Sequence, residues 1–161
     1  MPPVIRSLLA SLVERPPAPV GDRPTQPARR LAVVTCMDAR IDPLAALGME
    51  IGEAHVVRNA GGRVTDDVLR SLALSTHGLG VREVGVIHHT GCGLHGVDNA
   101  ELNRQAGLAG VDFLPFADME AGVAEDVATL VDSGYLAPGT VVWGAVYDLD
   151  AGVVSLVSEP G

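Results

Sequence analysis

The sequence predicts an α/β fold, in which helices flank a mainly parallel central β-sheet and an N-terminal helix with a proline-rich arm precedes them. From residue 31 onward, short runs rich in β-branched residues alternate with stretches of helical periodicity, which is typical of such sheets. The runs at 31–36, 54–59 and 82–89 are apolar at both alternating positions, as expected for central strands. With 161 residues, the chain is long enough for one domain with its own core.

The first thirty residues predict a helix followed by an extended arm. Residues 4–14 place six apolar residues on one helical stripe, namely Val4, Ile5, Leu8, Leu9, Leu12 and Val13. The proline-rich segment 15–27 ends this helix, because proline cannot continue it. We therefore divide the chain into residues 1–30, the helix and arm, and residues 31–161, the α/β domain. Our hypothesis is that the helix lies across a partner subunit; the alternative is that it folds back on its own domain.

The α/β domain is expected to alternate strands and helices in order. Strands, the last of them a strand or a hairpin, are predicted at 31–36, 54–59, 82–89 and 140–157. Helical segments are predicted at 43–48, 66–80 and 118–134, and the region from 90 to 117 is expected to be poor in helix. Thr65 is expected to cap the second of these helices, with Asp66 and Asp67 in its first turn and "GLG" at its end.

The composition argues against two classes of partner. The net charge is −9, and all eleven basic residues are arginines, which disfavours a nucleic-acid partner because polyanion binding needs clustered basic residues. No apolar run approaches the roughly 18 residues that would span a membrane. The N-terminus lacks the cleavage pattern of a signal peptide, so we expect a cytoplasmic protein with a small-molecule substrate.

Both cysteines and one histidine follow predicted strands. Cys36 ends the first strand, His89 ends the third, and Cys92 comes three residues later. Ligands bind at the carboxyl ends of strands in open α/β sheets, so these three side chains are expected to converge on one crevice. Two thiolates and an imidazole are donors that zinc prefers, and three protein ligands leave a fourth position open for water. The sequence therefore predicts a catalytic Zn²⁺ site.

The spacing favours His89 over its neighbour His88 as the third ligand. Adjacent residues of a strand point to opposite faces, so both histidines cannot reach one ion from a regular strand. Gly91 lies between His89 and Cys92 and permits the tight turn that brings both to the ion.

Asp38 and Arg40 follow Cys36 at alternate positions and are expected to share a side of the extended chain. A carboxylate paired with an arginine stays ionised and can only accept hydrogen bonds. Asp38 would then accept a hydrogen bond from a zinc-bound hydroxide and so orient the hydroxide toward a substrate carbon. If Arg40 releases it, Asp38 becomes a possible fourth zinc ligand that closes the site.

These motifs closely resemble those of the β-class carbonic anhydrases, in a short, compact form. Cys-x-Asp-x-Arg from residue 36, "RNAGG" at 58–62 and His-x-x-Cys from residue 89 occur in this order, and the resemblance covers residues 31–149. It implies a zinc enzyme that interconverts carbon dioxide and bicarbonate, with a ligand set of Cys36, His89 and Cys92 and a catalytic dyad of Asp38 and Arg40. It also implies a homodimer or a dimer of dimers, in which N-terminal helices clasp the partner.

Other interpretations of the same residues stay open. The cysteines could be inert buried thiols, or the zinc could be structural and closed by Asp38. A phosphatase-type nucleophile at Cys36 is disfavoured, because its phosphate-binding loop would need more residues before Arg40. Gly61 and Gly62 could cradle a phosphate, but we expect them to let the backbone pass close to the metal pocket, with Arg58 and Asn59 in structural or interface positions.

Three functions are compatible with this site. The first is hydration of carbon dioxide, the second is hydrolysis of carbonyl sulfide or carbon disulfide on the same site, and the third is non-catalytic zinc binding. Because two thiolates cancel the charge of the metal, we expect activity to increase toward alkaline pH. No spacing identifies a proton shuttle among the remaining histidines, which are His55, His77, His88 and His95. Trp143 is expected in the core.

Overall fold

The computed structural model describes residues 3–158. Its helices are α1 (Pro3–Glu14), α2 (Pro43–Ala46), α3 (Asp66–Gly78), α4 (Asn99–Ala106) and α5 (Met119–Asp132). Its strands are β1 (Leu31–Cys36), β2 (Ala54–Asn59), β3 (Glu83–His89), β4 (Val141–Asp148) and β5 (Val153–Ser158). A 3₁₀ turn at Ala60–Gly62 follows β2. The five strands form one sheet in the order β2-β1-β3-β4-β5.

The sheet confirms the predicted α/β class. Strands β2, β1, β3 and β4 are mutually parallel, and only β5 runs antiparallel, as the second strand of a hairpin with β4. The parallel register places the ends of the first three strands side by side, with Cys36 opposite Asn59 and Thr35 opposite Ile87. Because β1 and β3 are neighbours, the residues that follow them meet at one edge of the sheet.

The two faces of β1 pack against different sets of apolar residues, and all six of its residues are buried. Ala32 and Val34 belong to a core that includes residues of α3 and α5, such as Leu72 and Leu130. Val33 faces the other side with Ile87 and Ala145. A strand that is covered on both faces reads as a continuous apolar run, which is why its position could be predicted from the sequence.

Four sequence expectations need correction. β2 is an edge strand rather than a central one, with Val56 and Arg58 exposed. Helix α4 lies in the region expected to be poor in helix; Asp98 caps it by accepting a hydrogen bond from the Ala100 amide. Thr65 occupies the N-cap position of α3, but its side chain makes no capping hydrogen bond. Trp143 is half-buried instead of fully in the core.

The N-terminal arm lies along the segment that leads into β2. Backbone amides of Ala28 and Arg29 donate to the carbonyls of Gly52 and Glu53, at 2.9 and 3.0 Å. Helix α1, in contrast, is exposed at every position from 4 to 14, including its apolar stripe. The division at residue 30 and the role of α1 in contacting a partner stay predictions. Among the described residues, no helix is long and apolar enough to cross a membrane.

Candidate metal centre

The structure brings Cys36, His89 and Cys92 together at the carboxyl edge of the sheet. Cys36 is the last residue of β1 and His89 the last of β3, so the parallel pairing of these strands places them next to each other. Gly91, at a φ of 67°, allows the turn that returns Cys92 to the same place. One potential ligand atom from each residue lies within 4.8 Å of the others, and all three residues are buried.

His89 presents a nitrogen lone pair to this cluster. Its Nδ1 donates a hydrogen bond to the Thr90 carbonyl at 2.9 Å, which assigns the proton to that nitrogen and leaves Nε2 as an acceptor. Nε2 is buried and has no hydrogen-bond partner among the described residues. Burial lowers the pKa of His89, which favours the neutral ring that a metal requires. A buried, unpaired imidazole nitrogen beside two sulfur atoms fits the donor set of zinc.

The two sulfur atoms lie in an apolar environment. Cys36 and Cys92 pack in one buried cluster with Ile41, Leu94 and Phe116. Burial raises the pKa of the Cys92 thiol, so this sulfur would become an anion only when a cation compensates its charge. Metal binding at this site would therefore release a proton from the thiol.

Asp38 and Arg40 form a two-point ion pair beside the cluster. Arg40 Nε donates to Asp38 Oδ1 at 3.0 Å, and Arg40 Nη2 donates to Oδ2 at 2.7 Å. The Arg40 backbone amide adds a third hydrogen bond to Oδ1 at 2.9 Å. These hydrogen bonds from Arg40 hold the pKa of Asp38 far below its usual range. Asp38 Oδ2 lies 3.9 Å from His89 Nε2, so the carboxylate borders the position that the three ligand atoms surround.

Gly62 allows the chain to pass close behind β1, as expected from the sequence. A Cβ atom at this residue would lie 2.8 Å from the carbonyl carbon of Thr35 and 2.9 Å from the amide nitrogen of Cys36. Gly62 also has a φ of 69°, which side chains other than glycine rarely adopt. Gly61 faces Leu94 instead.

A buried ion-pair network behind His89 could not be found from the sequence. His88 Nε2 donates to Asp126 Oδ2 at 2.9 Å, and the same carboxylate pairs with Arg63 Nε at 2.8 Å. The amide of Val64 donates to its other oxygen at 2.9 Å. The alternation of β3 predicts that His88 points away from His89, but no sequence spacing connects it to Asp126, 38 residues later.

The remaining histidines differ in their accessibility. His88 is fully buried in the Asp126 network. His55 is bonded at both nitrogens, to the Ser75 hydroxyl and the Thr25 carbonyl, and His77 contacts the Tyr135 carbonyl. His95 is exposed and stacks on Phe116, with ring centroids 5.7 Å apart.

Sequence comparisons agree with the geometry. The model of the family described as carbonic anhydrase matches residues 31–111, about half of the chain. β-Carbonic anhydrase 1 of Mycobacterium tuberculosis is 55% identical over 74 residues, which cover 46% of this chain and 45% of that protein. A carbon disulfide hydrolase of Saccharolobus solfataricus is 52% identical over 66 residues, covering 41% of this chain and 32% of that protein. The aligned region thus spans about half, or less, of the length of these curated relatives.

Solved structures extend the similarity to almost the whole chain. The carbonic anhydrase from Streptococcus mutans is 42% identical, with a TM-score of 0.82, and the alignment covers 96% of this chain and 95% of that one. The carbonic anhydrase from Glaciozyma antarctica is 35% identical, with a TM-score of 0.79 and coverage of 98% and 96%. With the matching family model and the cysteine and histidine cluster at the sheet edge, these similarities show that the chain belongs to the β-carbonic anhydrase family.

Proposed function

We propose that the protein catalyses the zinc-dependent, reversible hydration of carbon dioxide to bicarbonate and a proton. The observation that carries this proposal is the buried cluster of Cys36, His89 and Cys92 beside a carboxylate held by an arginine. Within residues 3–158, the Nε2 atom of His89 in this cluster has no hydrogen-bond partner. When bound there, zinc would supply a Lewis acid that makes a water molecule acidic near neutral pH. Cys36, His89 and Cys92 would hold the ion, and three protein ligands would leave a coordination position free for that chemistry.

Asp38 would orient the attacking oxygen. Both carboxylate oxygens of Asp38 accept hydrogen bonds from Arg40, so Asp38 stays ionised. An ionised carboxylate can accept further hydrogen bonds but cannot donate one. If the O–H of the attacking oxygen donates a hydrogen bond to Asp38, a lone pair of that oxygen would point away from Asp38 and toward the substrate carbon. Arg40 also donates to the Gly91 carbonyl at 3.0 Å, which ties the dyad to the turn between His89 and Cys92.

The pairing of Asp38 with Arg40 supports an accessible metal position. A closed site would need Asp38 to leave Arg40 and bind the metal as a fourth ligand. Asp38 Oδ2 lies 3.9 Å from His89 Nε2, so the carboxylate is close enough for this role. In the structure, all three hydrogen bonds from Arg40 hold it away from that role. This arrangement favours an enzyme over a non-catalytic zinc protein.

Hydrolysis of carbon disulfide is the second candidate. It is favoured by similarity to several carbon disulfide hydrolases, including one from Acidithiobacillus thiooxidans that is 37% identical over 105 residues. Both substrates are linear molecules attacked at carbon by the same nucleophile, so the metal-site residues alone do not distinguish them.

Stopped-flow assays on the zinc-loaded protein would test these proposals. We expect carbon dioxide hydration at pH 7 and a faster rate at pH 9, with little turnover of carbon disulfide or carbonyl sulfide. Turnover of the sulfur compounds without carbon dioxide hydration would support the second candidate. Inactivity toward all three substrates, with one bound zinc per chain, would support a closed, non-catalytic site and contradict both enzymatic proposals.

We further propose that the protein assembles as a homodimer or a dimer of dimers, with α1 lying across the partner subunit. Support comes from the exposed apolar stripe of α1, in which Val4 is 72% and Val13 85% exposed. Large exposed apolar surfaces of this kind are typical of protein interfaces.

A further inference from the structure

We propose that Arg58, in β2, is a positioning residue that holds the backbone of residues 36–38 and thereby aims the Asp38 carboxylate at the metal position. The inference deepens the proposed function and rests on it where turnover is the readout. It gives a specific task to a residue for which the sequence indicates only a structural or interface position.

The Arg58 side chain donates hydrogen bonds to the backbone carbonyls on both sides of Met37. Its Nε donates to the Cys36 carbonyl at 2.9 Å, and its Nη2 donates to the Asp38 carbonyl at 2.7 Å. Between these two points, the Met37 amide donates to the Asn59 carbonyl at 2.8 Å. The end of β2 therefore holds three consecutive residues at the end of β1 by three hydrogen bonds.

The orientation of the Asp38 side chain depends on this attachment. The Asp38 carbonyl that Arg58 contacts also accepts from the Ile41 amide at 3.1 Å, which closes a tight turn over residues 38–41. Within this turn, the amide of Arg40 donates to Asp38 Oδ1. A shift of the Asp38 carbonyl would move this turn and, with it, the carboxylate relative to His89 Nε2.

The chemistry of arginine suits this role. A guanidinium presents several N–H donors in a rigid fork, so one side chain can hold two carbonyls at a fixed separation, whereas the three donors of lysine all lie on one nitrogen at the end of a flexible stem. Within residues 3–158, Arg58 forms no ion pair with a carboxylate, so these two carbonyls are the groups that it positions. Arg58 is exposed, so its removal would leave no cavity in the core.

The experiment compares Arg58→Met and Arg58→Lys with the matched control Arg70→Met, all loaded with zinc. Arg70 lies on the exposed surface of α3 and contacts Asp67. We expect Arg58→Met to bind zinc stoichiometrically but to exchange the amide hydrogens of Arg40 and Ile41 about 10-fold faster or more, with β3 unchanged. We expect its kcat to fall about 10-fold or more, because small misplacements of a catalytic group are costly. Arg70→Met should change neither quantity.

Arg58→Lys separates the rigid fork from the positive charge. If positioning needs both carbonyl contacts, this variant should show accelerated exchange at Arg40 and Ile41 and a reduced kcat, while its unfolding temperature stays near that of the wild type. If Arg58→Lys shows the same amide exchange and turnover as the wild type, the proposal that the two-carbonyl contact of the guanidinium is required would be wrong. If Arg58→Met does not fold, the same measurements on Arg58→Lys test the proposal, because this variant keeps the positive charge and the aliphatic stem.

A double-mutant cycle decides whether Arg58 acts through Asp38. If it does, Arg58→Met should reduce kcat little further, by less than about 3-fold, in an Asp38→Ala background. A combined loss equal to the product of the two single losses would overturn this coupling. If the wild type turns over none of the substrates, the proposed function fails, whereas the exchange measurement still tests the positioning role; unchanged exchange in Arg58→Met would overturn it.

Discussion

At the scale of single residues, the alternation of one strand separates two histidines with different roles. His89 faces the cysteines with an Nε2 that has no hydrogen-bond partner in the described part of the chain, while His88 points to the other face and donates to Asp126. Both are fully buried, so burial alone does not distinguish them. Their Nε2 atoms differ instead: that of His89 is available to bind a metal, whereas that of His88 donates to Asp126 and stabilises the fold.

Substitution of these histidines should separate zinc binding from stability. His89→Ala, like Cys92→Ala, should abolish stoichiometric zinc binding, because each removes one of three ligands. His88→Ala should retain zinc but lower the free energy of unfolding by about 2–4 kcal/mol, because the buried Asp126 carboxylate loses one of its hydrogen-bond donors. Metal analysis and denaturant unfolding check both effects. Full zinc content in His89→Ala or Cys92→Ala would show that the ligand is misassigned.

Substitution of Asp38 should affect turnover rather than metal binding. Asp38→Ala should keep about one zinc per chain and lower kcat about 10- to 100-fold, because the attacking oxygen loses the acceptor that orients it. Asp132→Ala, at the exposed end of α5, is the control and should have wild-type kinetics. Full activity in Asp38→Ala would remove the orienting role from this carboxylate.

At the scale of elements, the site depends on how closely β1 and the 3₁₀ turn after β2 approach each other. The absence of a side chain at Gly62 allows the backbone to lie against Thr35 and Cys36. β2 contributes to the same place through Arg58 and Asn59, although it is an edge strand. The "RNAGG" segment thus supports the residues around Cys36 from behind.

Gly62→Ala should be much more costly than a comparable substitution elsewhere. We expect it to lower the free energy of unfolding by about 2–4 kcal/mol, since the new Cβ adds a clash with backbone to the strain of a positive φ. Gly80→Ala is the matched control, because Gly80 has a φ of 76° but a Cβ atom at this position would have no neighbour within 4 Å among the residues that the structure describes. It should cost only about 1 kcal/mol. Equal costs for the two variants, measured by urea unfolding, would mean that the contact with β1 relaxes freely.

At the scale of the whole molecule, the α/β core and the N-terminal helix differ in how they are held. The arm is hydrogen-bonded to residues 52 and 53, whereas α1 leaves its apolar stripe exposed. A helix of twelve residues is marginal by itself in water, so packing on a partner would provide the stability that it lacks.

Substitutions on α1 should reveal this packing. Leu8→Glu combined with Leu12→Glu should weaken self-association, because two charges would be buried at the interface. Ser7→Glu combined with Ser11→Glu adds the same charge to the polar side of the helix and serves as the control. Sedimentation velocity over a range of concentrations measures the effect. An unchanged assembly in the leucine variant would show that α1 does not contact a partner through this stripe.

The alternation of strands and helices and the three metal-ligand candidates could be predicted from the amino-acid sequence. Both signals are local: β1 and the segment 84–87 of β3 are largely apolar, and Cys36, His89 and Cys92 lie at or just after the ends of these strands. Helix α4 also has local signals in its sequence, Asp98 at its N-cap and Gly107 at its C-cap.

The distant groups that support the site could not be predicted in this way, because they meet only when the chain packs. The edge position of β2, the fork from Arg58 to the carbonyls of Cys36 and Asp38, and the pairing of His88 with Asp126 all join segments 20 or more residues apart. Such contacts depend on the order of strands and on which helix covers which face. Periodicity and spacing report the local conformation of a segment, but the partners of its backbone carbonyls and buried charges are set only when the segments pack.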